Sequence, residues 1–395
     1  MLLDIEWIAV WILMLVFASA AQAQPGVGDE AARVRVRELG VSPGVLPPGR
    51  WNAITDVRGV KVGHQTLIRG DDVRTGVTAI WPHGGNLVKS KVPAAAVVGN
   101  GYGKAAGFLQ VQELGTIETP IVLTNTLSVG TAVEALVAWT LRQEGNENVR
   151  SVNAIVGETN DGYLNDIRGQ HVRAEDVWKA LETAKSGRVT EGSVGAGTGT
   201  MAFGWKGGIG TASRKLPAAL GAFTVGVLVQ SNFGGVLTID GNRVGEALGR
   251  YPFRTAIEQA REQKEQRQSR PAETEEDQGS CMIVVATDAP VDSRQLERIA
   301  RRALLGLART GSYMSHGSGD FVIAFSTTQP LEREPFRRKV ELLEDRALDP
   351  IFLATVEAVE EAVYNSLTMA TTIEGREGHV GEAIPIPALR RALKR

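Results

Sequence analysis

The stretch Gly279-Ser280-Cys281-Met282-Ile283-Val284-Val285-Ala286-Thr287 contains a glycine–serine pair and a continuous apolar run directly after it. We predict that the apolar run is a core strand. The continuous apolar run is typical of a strand that is covered on both faces. Residues 258–278, immediately before it, are rich in Glu, Gln and Arg and contain no large apolar side chain. Such a segment cannot bury enough surface to offset its ordering entropy, which predicts an exposed, mobile linker. A charged run is often only a linker, but one that leads a Gly–Ser junction to the tip of a core strand is typical of a self-cleaving precursor.

The composition excludes several classes of protein. The chain has 395 residues, 43% of them hydrophobic, which excludes global disorder and allows two or three domains or one large α/β domain. The formal net charge is −2, so the chain has no excess of basic residues such as proteins that bind nucleic acids or anionic membranes have. The single cysteine, Cys281, allows neither an internal disulfide nor a four-cysteine zinc site, and the five histidines are scattered. We therefore expect no metal site.

Two glycine-rich stretches invite a nucleotide-binding interpretation, which their spacing excludes. Residues 98–104 lack the pattern of a phosphate-binding loop, and residues 195–200 have Thr200 where a dinucleotide fingerprint needs its third glycine. We expect these glycines to let backbone segments approach closely around a pocket, and neither stretch calls for a cofactor.

The amino terminus has the pattern of a secretory signal peptide. An apolar run at residues 8–17 and an Ala-Gln-Ala element at residues 21–23 predict a signal at residues 1–23 and export to the periplasm. Asp4 and Glu6 are atypical of such a signal, and the protein stays in the cytoplasm if the signal is not functional. The apolar run is shorter than the ~20 residues that a spanning helix needs, so we expect no membrane association after the signal is removed.

Short apolar runs alternate with segments of helical period along the rest of the chain. The clearest helical pattern is at residues 293–309, where apolar side chains form one stripe opposite charged ones. Strands and helices mixed in this order indicate α/β or α+β packing in layers. We predict strands at residues 94–98, 121–124, 154–156, 223–229, 282–286 and 322–325, and helices at residues 293–309 and 349–369 and around residues 133–141 and 177–184.

The junction between Gly279 and Ser280 carries suitable chemistry for self-cleavage. A free serine hydroxyl is a poor nucleophile and needs a base. Cleavage before Ser280 frees an α-amino group whose pKa of ~7.7 to 8.0 leaves part of it unprotonated near neutral pH, so one residue supplies nucleophile and base together. Glycine at position 279 lets the scissile bond adopt torsions that other residues resist. Cys281 points to the opposite face of the strand and is expected in the core.

Several further stretches, in a fixed order, match one known family. They are residues 51–57 (WNAITDV), 75–78 (TGVT), 157–163 (GETNDGY), 195–199 (GAGTG), 207–211 (GGIGT), 230–234 (QSNFG) and 286–290 (ATDAP). Together with the Gly–Ser junction, the chain resembles the DmpA-type family of autoproteolytic serine aminopeptidases, which includes L-aminopeptidase/D-amidase-esterases and beta-peptidyl aminopeptidases. The resemblance covers nearly all of the mature chain.

This resemblance implies a fold and an organisation. The fold class is α/β (α+β), a four-layer αββα sandwich similar to that of N-terminal nucleophile hydrolases. The precursor is expected to split into an α chain at residues 24–279 and a β chain at residues 280–395, both belonging to a single catalytic domain. Relatives form tetramers, so a homo-oligomer is expected.

The resemblance also implies that Ser318 and Asp320 assist Ser280. In the family, a serine and an acidic residue two positions apart have this role. The two-residue period of a strand puts both side chains on one face, where each could hydrogen-bond the α-amino group. Relatives of the beta-peptidyl branch carry Glu at the second position, so the shorter Asp320 has a different reach. The alternative is a glycine-rich loop with a capping aspartate.

Three more residues match positions in the family's pocket. Asn232 matches the oxyanion-hole asparagine, whose neutral amide suits a tetrahedral intermediate, although outside the family it would be a turn residue. Tyr163 matches a tyrosine that lines the same pocket and donates to the oxyanion or orients the substrate. Glu158 is expected to pair with the substrate ammonium and so to select a free amine, and the alternative is a surface loop acid.

The function that the resemblance implies is removal of N-terminal residues from short peptides, amides or esters through an acyl-enzyme on Ser280. An acyltransferase of the ornithine acetyltransferase type shares the fold and the self-processing, but its nucleophile is threonine. A noncatalytic scaffold would not need Ser280, Asn232 or the Gly–Ser junction. The expected partner is thus a short peptide or an aminoacyl amide or ester. The preferred N-terminal residue, L-α, D-α or β, stays open because pocket shape depends on several loops.

Overall fold

Two β-sheets face each other in the computed structural model, which describes residues 32–262, 279–328, 330–332 and 339–394. The strands are β1 (Lys61–Arg69), β2 (Val73–Trp81), β3 (Ser90–Gly101), β4 (Thr116–Ile117), β5 (Ile121–Asn125), β6 (Ile155–Thr159), β7 (Met201–Ala202), β8 (Trp205–Lys206), β9 (Gly208–Lys215), β10 (Thr224–Asn232), β11 (Ser280–Thr287), β12 (Gly319–Ser326), β13 (Leu331–Glu332), β14 (Ile373–Glu374) and β15 (Val380–Gly381). One sheet has the order β1-β2-β5-β6. The other has the order β13-β3-β12-β11-β10-β9, with β4 paired to β3, while β7–β8 and β14–β15 form separate two-stranded pairs.

The helices are α1 (Phe108–Leu114), α2 (Val129–Leu141), α3 (Ala174–Glu182), α4 (Val244–Ala247), α5 (Arg254–Glu262), α6 (Ser293–Arg309), α7 (Asp349–Thr368) and α8 (Ile386–Leu393). Of these, α2, α3, α6 and α7 cover the outer faces of the two sheets. Apolar side chains of α2 and α3 pack against the four-stranded sheet, and those of α6 and α7 pack against the larger one. The layer order is therefore helix, sheet, sheet, helix, which confirms the expected αββα sandwich.

Strand β11 lies in the interior of the larger sheet, antiparallel to β10 and parallel to β12. Its side chains alternate between two cores. Cys281 and Ile283 belong to the core beneath α6 and α7, whereas Met282 and Val284 belong to the core between the sheets. The strand is thus covered on both faces, and Cys281 is buried in the core, as predicted.

The predicted strands and helices are all present, although several boundaries differ by a few residues. Strands β1, β2 and β9, the two-residue strands and helices α1, α4, α5 and α8 are additional. At the start of the predicted linker, residues 258–262 instead form the end of α5. Residues 263–278 and the predicted signal at residues 1–23 lie outside the described part of the chain. No helix among the described residues is long and apolar enough to cross a membrane.

Candidate active site

Ser280 is the first residue of β11 and is 3% exposed. In the sheet register it lies between Asn232, the last residue of β10, and Gly319, the first residue of β12. Because Met282 faces the other sheet, the two-residue period turns the Ser280 side chain toward the same gap. Strand pairing therefore brings the predicted nucleophile and the predicted oxyanion residue side by side at one end of the sheet.

Two N–H groups point at the Ser280 hydroxyl. Asn232 Nδ2 lies 3.5 Å from Ser280 Oγ, and the main-chain nitrogen of Asn160 lies 3.4 Å from the same atom. The Asn232 amide is oriented from behind, because its Oδ1 accepts a hydrogen bond of 2.9 Å from the Met201 main-chain N–H. Neutral donors that converge in this way suit an oxyanion. Sequence reasoning missed Asn160 because the donor is a backbone group, although it lies within the matched stretch at residues 157–163.

The junction before Ser280 is held in the sheet. The carbonyl of Gly279 accepts a hydrogen bond of 3.2 Å from the main-chain N–H of Gly319. A side chain at Gly319 would meet the Tyr102 carbonyl at 2.8 Å, so only glycine fits without displacement. The Gly279 carbonyl is therefore already contacted by a main-chain donor, which would stabilise negative charge on that oxygen.

Ser318 and Asp320 are both buried, at 1% exposure each. Asp320 pairs with Cys281 in the register, so its side chain lies on the helix-covered face of the sheet, opposite the Ser280 hydroxyl. Burial, followed by the charge of Asp320, raises the pKa of the Cys281 thiol well above its ordinary value. The main-chain nitrogen of Ser280 lies in the plane of the sheet, where groups on either face can approach it. The role of Asp320 in holding the α-amino group stays a prediction.

The loop before Ser318 is held by a residue that the sequence did not single out. The side-chain amide of Asn100, near the end of β3, donates to the carbonyls of Ser315, His316 and Ser318. Asn100 lies in the glycine-rich stretch at residues 98–104. A side chain at Gly103 in the same stretch would meet the Phe321 ring at 2.7 Å and Glu158 Oε1 at 2.9 Å. This glycine allows the close backbone approach that was expected for the stretch.

A cavity of about 1260 Å³ opens beside the nucleophile, with Gly279 and Asn232 in its wall. Tyr163, one of the predicted pocket residues, lines it and is 49% exposed. The Tyr163 ring stacks on the His379 imidazole with centroids 4.5 Å apart, and His379 Nδ1 lies 2.8 Å from the Tyr163 carbonyl. His379 was not predicted, because it approaches Tyr163 from a distant part of the chain. Aromatic rings and three arginines complete much of the wall: Phe203, Phe233, Tyr251, Phe253, Tyr313, Arg250, Arg254 and Arg376.

Glu158 is not among the described residues that line this cavity. It is 2% exposed, its Oε1 accepts a hydrogen bond of 2.9 Å from the Lys104 main-chain N–H, and its other oxygen accepts one from the Thr126 hydroxyl. Burial raises the pKa of the carboxyl. Glu158 lies near the end of β6, against Gly103, and its pairing with the substrate ammonium stays a prediction.

A buried lysine and a buried aspartate lie behind the site, and sequence reasoning singled out neither. Lys206 Nζ donates to the carbonyls of Gly197, Thr200 and Gly207 at 2.8–2.9 Å. Burial lowers the pKa of Lys206 to about 7, and the charge of Asp161 opposes that shift. Burial likewise raises the pKa of Asp161 to about 7. No cluster of three or more potential metal ligands occurs in the part of the chain that the structure describes.

Comparison with known proteins places this arrangement among peptidases. A profile of peptidase family S58 matches residues 52–381. A beta-peptidyl aminopeptidase BapA of Sphingosinicella microcystinivorans is 40% identical over 378 residues, which cover 91% of this chain and 92% of that protein.

Solved structures give the same result. The PH0078 protein of Pyrococcus horikoshii is 48% identical with a TM-score of 0.82, covering 92% of this chain and 99% of its own. An L-aminopeptidase D-Ala-esterase/amidase of Ochrobactrum anthropi is 37% identical with a TM-score of 0.80, covering 91% of this chain and 98% of its own. The latter is described as a prototype for the serine aminopeptidases and a variant of the Ntn hydrolase fold.

Proposed function

The chain belongs to peptidase family S58, and on this basis we propose that it is a self-cleaving serine aminopeptidase with the N-terminal nucleophile hydrolase fold. It removes N-terminal residues from short peptides, amides or esters through an acyl-enzyme on Ser280. The observation that carries the proposal is the position of the Ser280 hydroxyl. It lies directly after the Gly279 carbonyl, beside the cavity, and faces the Asn232 amide and the Asn160 N–H.

The first reaction is self-cleavage. Ser280 Oγ attacks the Gly279 carbonyl carbon, the peptide C–N bond breaks, and the hydroxyl proton goes to the departing nitrogen, which leaves an ester. Water then splits the ester into the Gly279 carboxylate and the restored serine hydroxyl. The Gly319 N–H, 3.2 Å from the Gly279 oxygen, supports this step by stabilising charge on that oxygen. The new α-amino group of Ser280 becomes the base of the second reaction.

The second reaction is peptide hydrolysis. The free α-amino group takes the proton of Ser280 Oγ as the hydroxyl attacks the substrate carbonyl, and it returns the proton to the leaving amine. Asn232 and the Asn160 N–H stabilise the oxyanion, and Tyr163 orients the substrate at the cavity wall. Ser318 and Asp320 hold the α-amino group. Glu158 pairs with the substrate ammonium, since each of its oxygens accepts a hydrogen bond from the protein and keeps a lone pair for another donor.

An acyltransferase is not favoured. The relatives are named aminopeptidases, and Ser280 stands where the ornithine acetyltransferases have threonine. We also propose that the protein is exported to the periplasm and forms a homo-oligomer, a tetramer as in the family. The signal pattern at residues 1–23 and the resemblance support these two statements. Fractionation of the producing cells and light scattering of the purified protein test them.

A substrate panel tests the activity. Purified protein is incubated with p-nitroanilides of L-α-, D-α- and β-homoamino acids, with Ser280→Ala as the matched inactive control. We expect release of p-nitroaniline by the cleaved wild type only, and the ranking within the panel identifies the preferred class of N-terminal residue. No release by cleaved wild type contradicts the aminopeptidase proposal. Transfer of the acyl group to added ornithine would support the acyltransferase instead.

A further inference from the structure

The ammonium group of Lys206 is enclosed by main-chain oxygens. Its side chain is 0% exposed, and its three protons match the three carbonyls of Gly197, Thr200 and Gly207. An amine saturated in this way has no hydrogen-bonding capacity left for a substrate. Lys206 therefore acts on the protein around it and not on the reaction directly.

The turn that Lys206 holds leads to the oxyanion amide. Thr200 directly precedes Met201, and the Met201 N–H donates to Asn232 Oδ1 at 2.9 Å. This bond decides which end of the Asn232 amide is turned toward Ser280: the oxygen is occupied by Met201, so the Nδ2 donor points to Ser280 Oγ. A second contact fixes the same turn, because the Gly207 N–H donates to the Thr200 carbonyl at 3.0 Å.

Asp161 lies on the other side of this turn. A side chain at Gly199 would meet Asp161 Cβ at 2.8 Å, and the charge of Asp161 acts on Lys206. Asp161 directly follows Asn160, whose N–H is the second donor that faces Ser280. Its Oδ1 accepts a hydrogen bond of 3.0 Å from Asn165 Nδ2. The two buried side chains thus flank the turn at residues 197–201: Asp161 is adjacent to Asn160 in sequence, and Lys206 is linked to the Asn232 amide through Thr200 and Met201.

We propose that Lys206 is a positioning residue that fixes the turn before Met201. The fixed turn orients the Asn232 amide toward the oxyanion that forms when Ser280 attacks the substrate carbonyl. This inference rests on the proposed aminopeptidase function. Loss of the ammonium group lets the turn relax, and the amide then loses its alignment. Because the oxyanion exists only in the transition state, the loss falls on kcat and leaves KM nearly unchanged.

The test compares Lys206→Met with Lys215→Met. Lys215 is a matched control, since its Nζ also donates to a main-chain carbonyl, that of Ala222, but at the far end of β9. We expect Lys206→Met to lower kcat by about 10- to 100-fold, as a small misplacement of a catalytic group does. Lys215→Met keeps the kcat of the wild type.

A double-mutant cycle separates positioning from a general structural role. If Lys206 acts through Asn232, then Lys206→Met causes no further loss of kcat in protein that already carries Asn232→Ala. If the double variant instead loses kcat by the product of the two single losses, the inference is overturned. An unchanged kcat in folded Lys206→Met also overturns it. Lys206→Gln, which keeps an uncharged donor, enters the same cycle if the methionine variant does not fold. An inactive wild type would instead overturn the proposed function, so the two failures are distinguishable.

Discussion

Buried cations lie near the two ends of strand β9 and are held in different ways. Lys206, in β8 just before the end of β9 that is near Ser280, donates to the main-chain carbonyls of Gly197, Thr200 and Gly207. At the other end, Arg214 contacts Glu357 Oε2 at 3.0 Å and Glu361 Oε2 at 2.9 Å, and it too is 0% exposed. Glu361 also binds the guanidinium of Arg37 at 2.7 Å.

The difference shows what each cation does for the fold. Arg214 joins β9 to α7 and to the segment before β1, where its guanidinium donates to the Pro43 carbonyl. Removing one partner of such a network leaves the others buried without compensation, so the fold depends on it. Lys206 instead donates hydrogen bonds to nearby main-chain carbonyls, those of Gly197, Thr200 and Gly207, close to the nucleophile. Changes at the Arg214 end should alter stability, and changes at the Ser280 end should alter chemistry.

The largest effect is expected for Ser280→Ala at the catalytic end. Removing one hydroxyl takes away the nucleophile of both reactions, so the protein should stay as a single chain and lose peptide hydrolysis completely. Electrophoresis and the p-nitroanilide assay measure the two losses. The Arg214 network is untouched, and a melting temperature close to that of wild type is the matching control. Fragments split before residue 280 in this variant would contradict the assignment.

The next largest effect is expected at the opposite end, for Arg214→Met. It leaves Glu357 and part of the Glu361 charge uncompensated in the core, which should lower the free energy of unfolding by about 3–5 kcal/mol. Denaturant unfolding measures this loss. Lys215 is the neighbouring cation and is exposed, so Lys215→Met should change stability little. At a temperature where Arg214→Met is folded its kcat should equal that of wild type, and a selective loss of kcat would break the division between the two ends.

Asn232→Ala should separate the chemistry from the fold. Without the amide that faces Ser280 Oγ, kcat should fall about 100- to 1000-fold, because one oxyanion donor is lost. Steady-state kinetics on the cleaved protein measure the change. Asn242→Ala, in a turn that does not line the cavity, is the matched control and should keep full activity. A loss below about threefold would remove Asn232 from the oxyanion site.

The smallest effect concerns a half-buried base on β1, away from both ends of β9. Burial lowers the pKa of His64 to about 4 from an ordinary value of 6.5. The unfolded chain therefore takes up a proton near pH 6.5 while the folded protein does not, so stability is lost as pH falls from 6.5 toward 4.

Replacing His64 should remove its contribution to the pH dependence of the free energy of unfolding. Between pH 7.5 and 5.5, His64 should account for a loss of about 1 kcal/mol in the free energy of unfolding. Denaturant unfolding of His64→Gln, in a Ser280→Ala chain that stays uncut, should show a shallower decline than the uncut chain with His64. If the free energy of unfolding declines equally with falling pH in both uncut proteins, His64 has the same pKa in the folded and the unfolded chain.

Much of the larger sheet was predictable from sequence, because β11 and β12 are continuous apolar runs. Strand β9 was not, since it reads Gly-Ile-Gly-Thr-Ala-Ser-Arg-Lys. A side chain at Gly210 would meet the Ala362 carbonyl at 1.9 Å, so close packing on α7 requires the glycine. Arg214 is buried only because α7, remote in sequence, supplies Glu357 and Glu361. Local patterns do not record such partners.

The same distinction applies to the site. Gly279 and Ser280 carry a local signature, and family motifs indicated Asn232 and Tyr163. The Asn160 N–H is a main-chain group and leaves no side-chain signal. The local sequence around Lys206 is typical of a surface lysine. Its burial depends on the turn at residues 197–201, which the sequence pattern does not indicate. Glu158 was expected to pair with the substrate ammonium because it matches the family's pocket, but its hydrogen bonds from Lys104 and Thr126 come from residues remote in sequence and left no local signal.

Ser280 is expected to become both a new amino terminus and the nucleophile. The most direct measurement is the intact mass and N-terminal sequence of the purified wild-type protein, followed over time alongside its hydrolytic activity. We expect two chains, one that ends at Gly279 and one that begins with Ser280, and activity that rises in proportion to the cleaved fraction. A chain that remains whole while fully active, or a cut at another bond, would contradict this expectation.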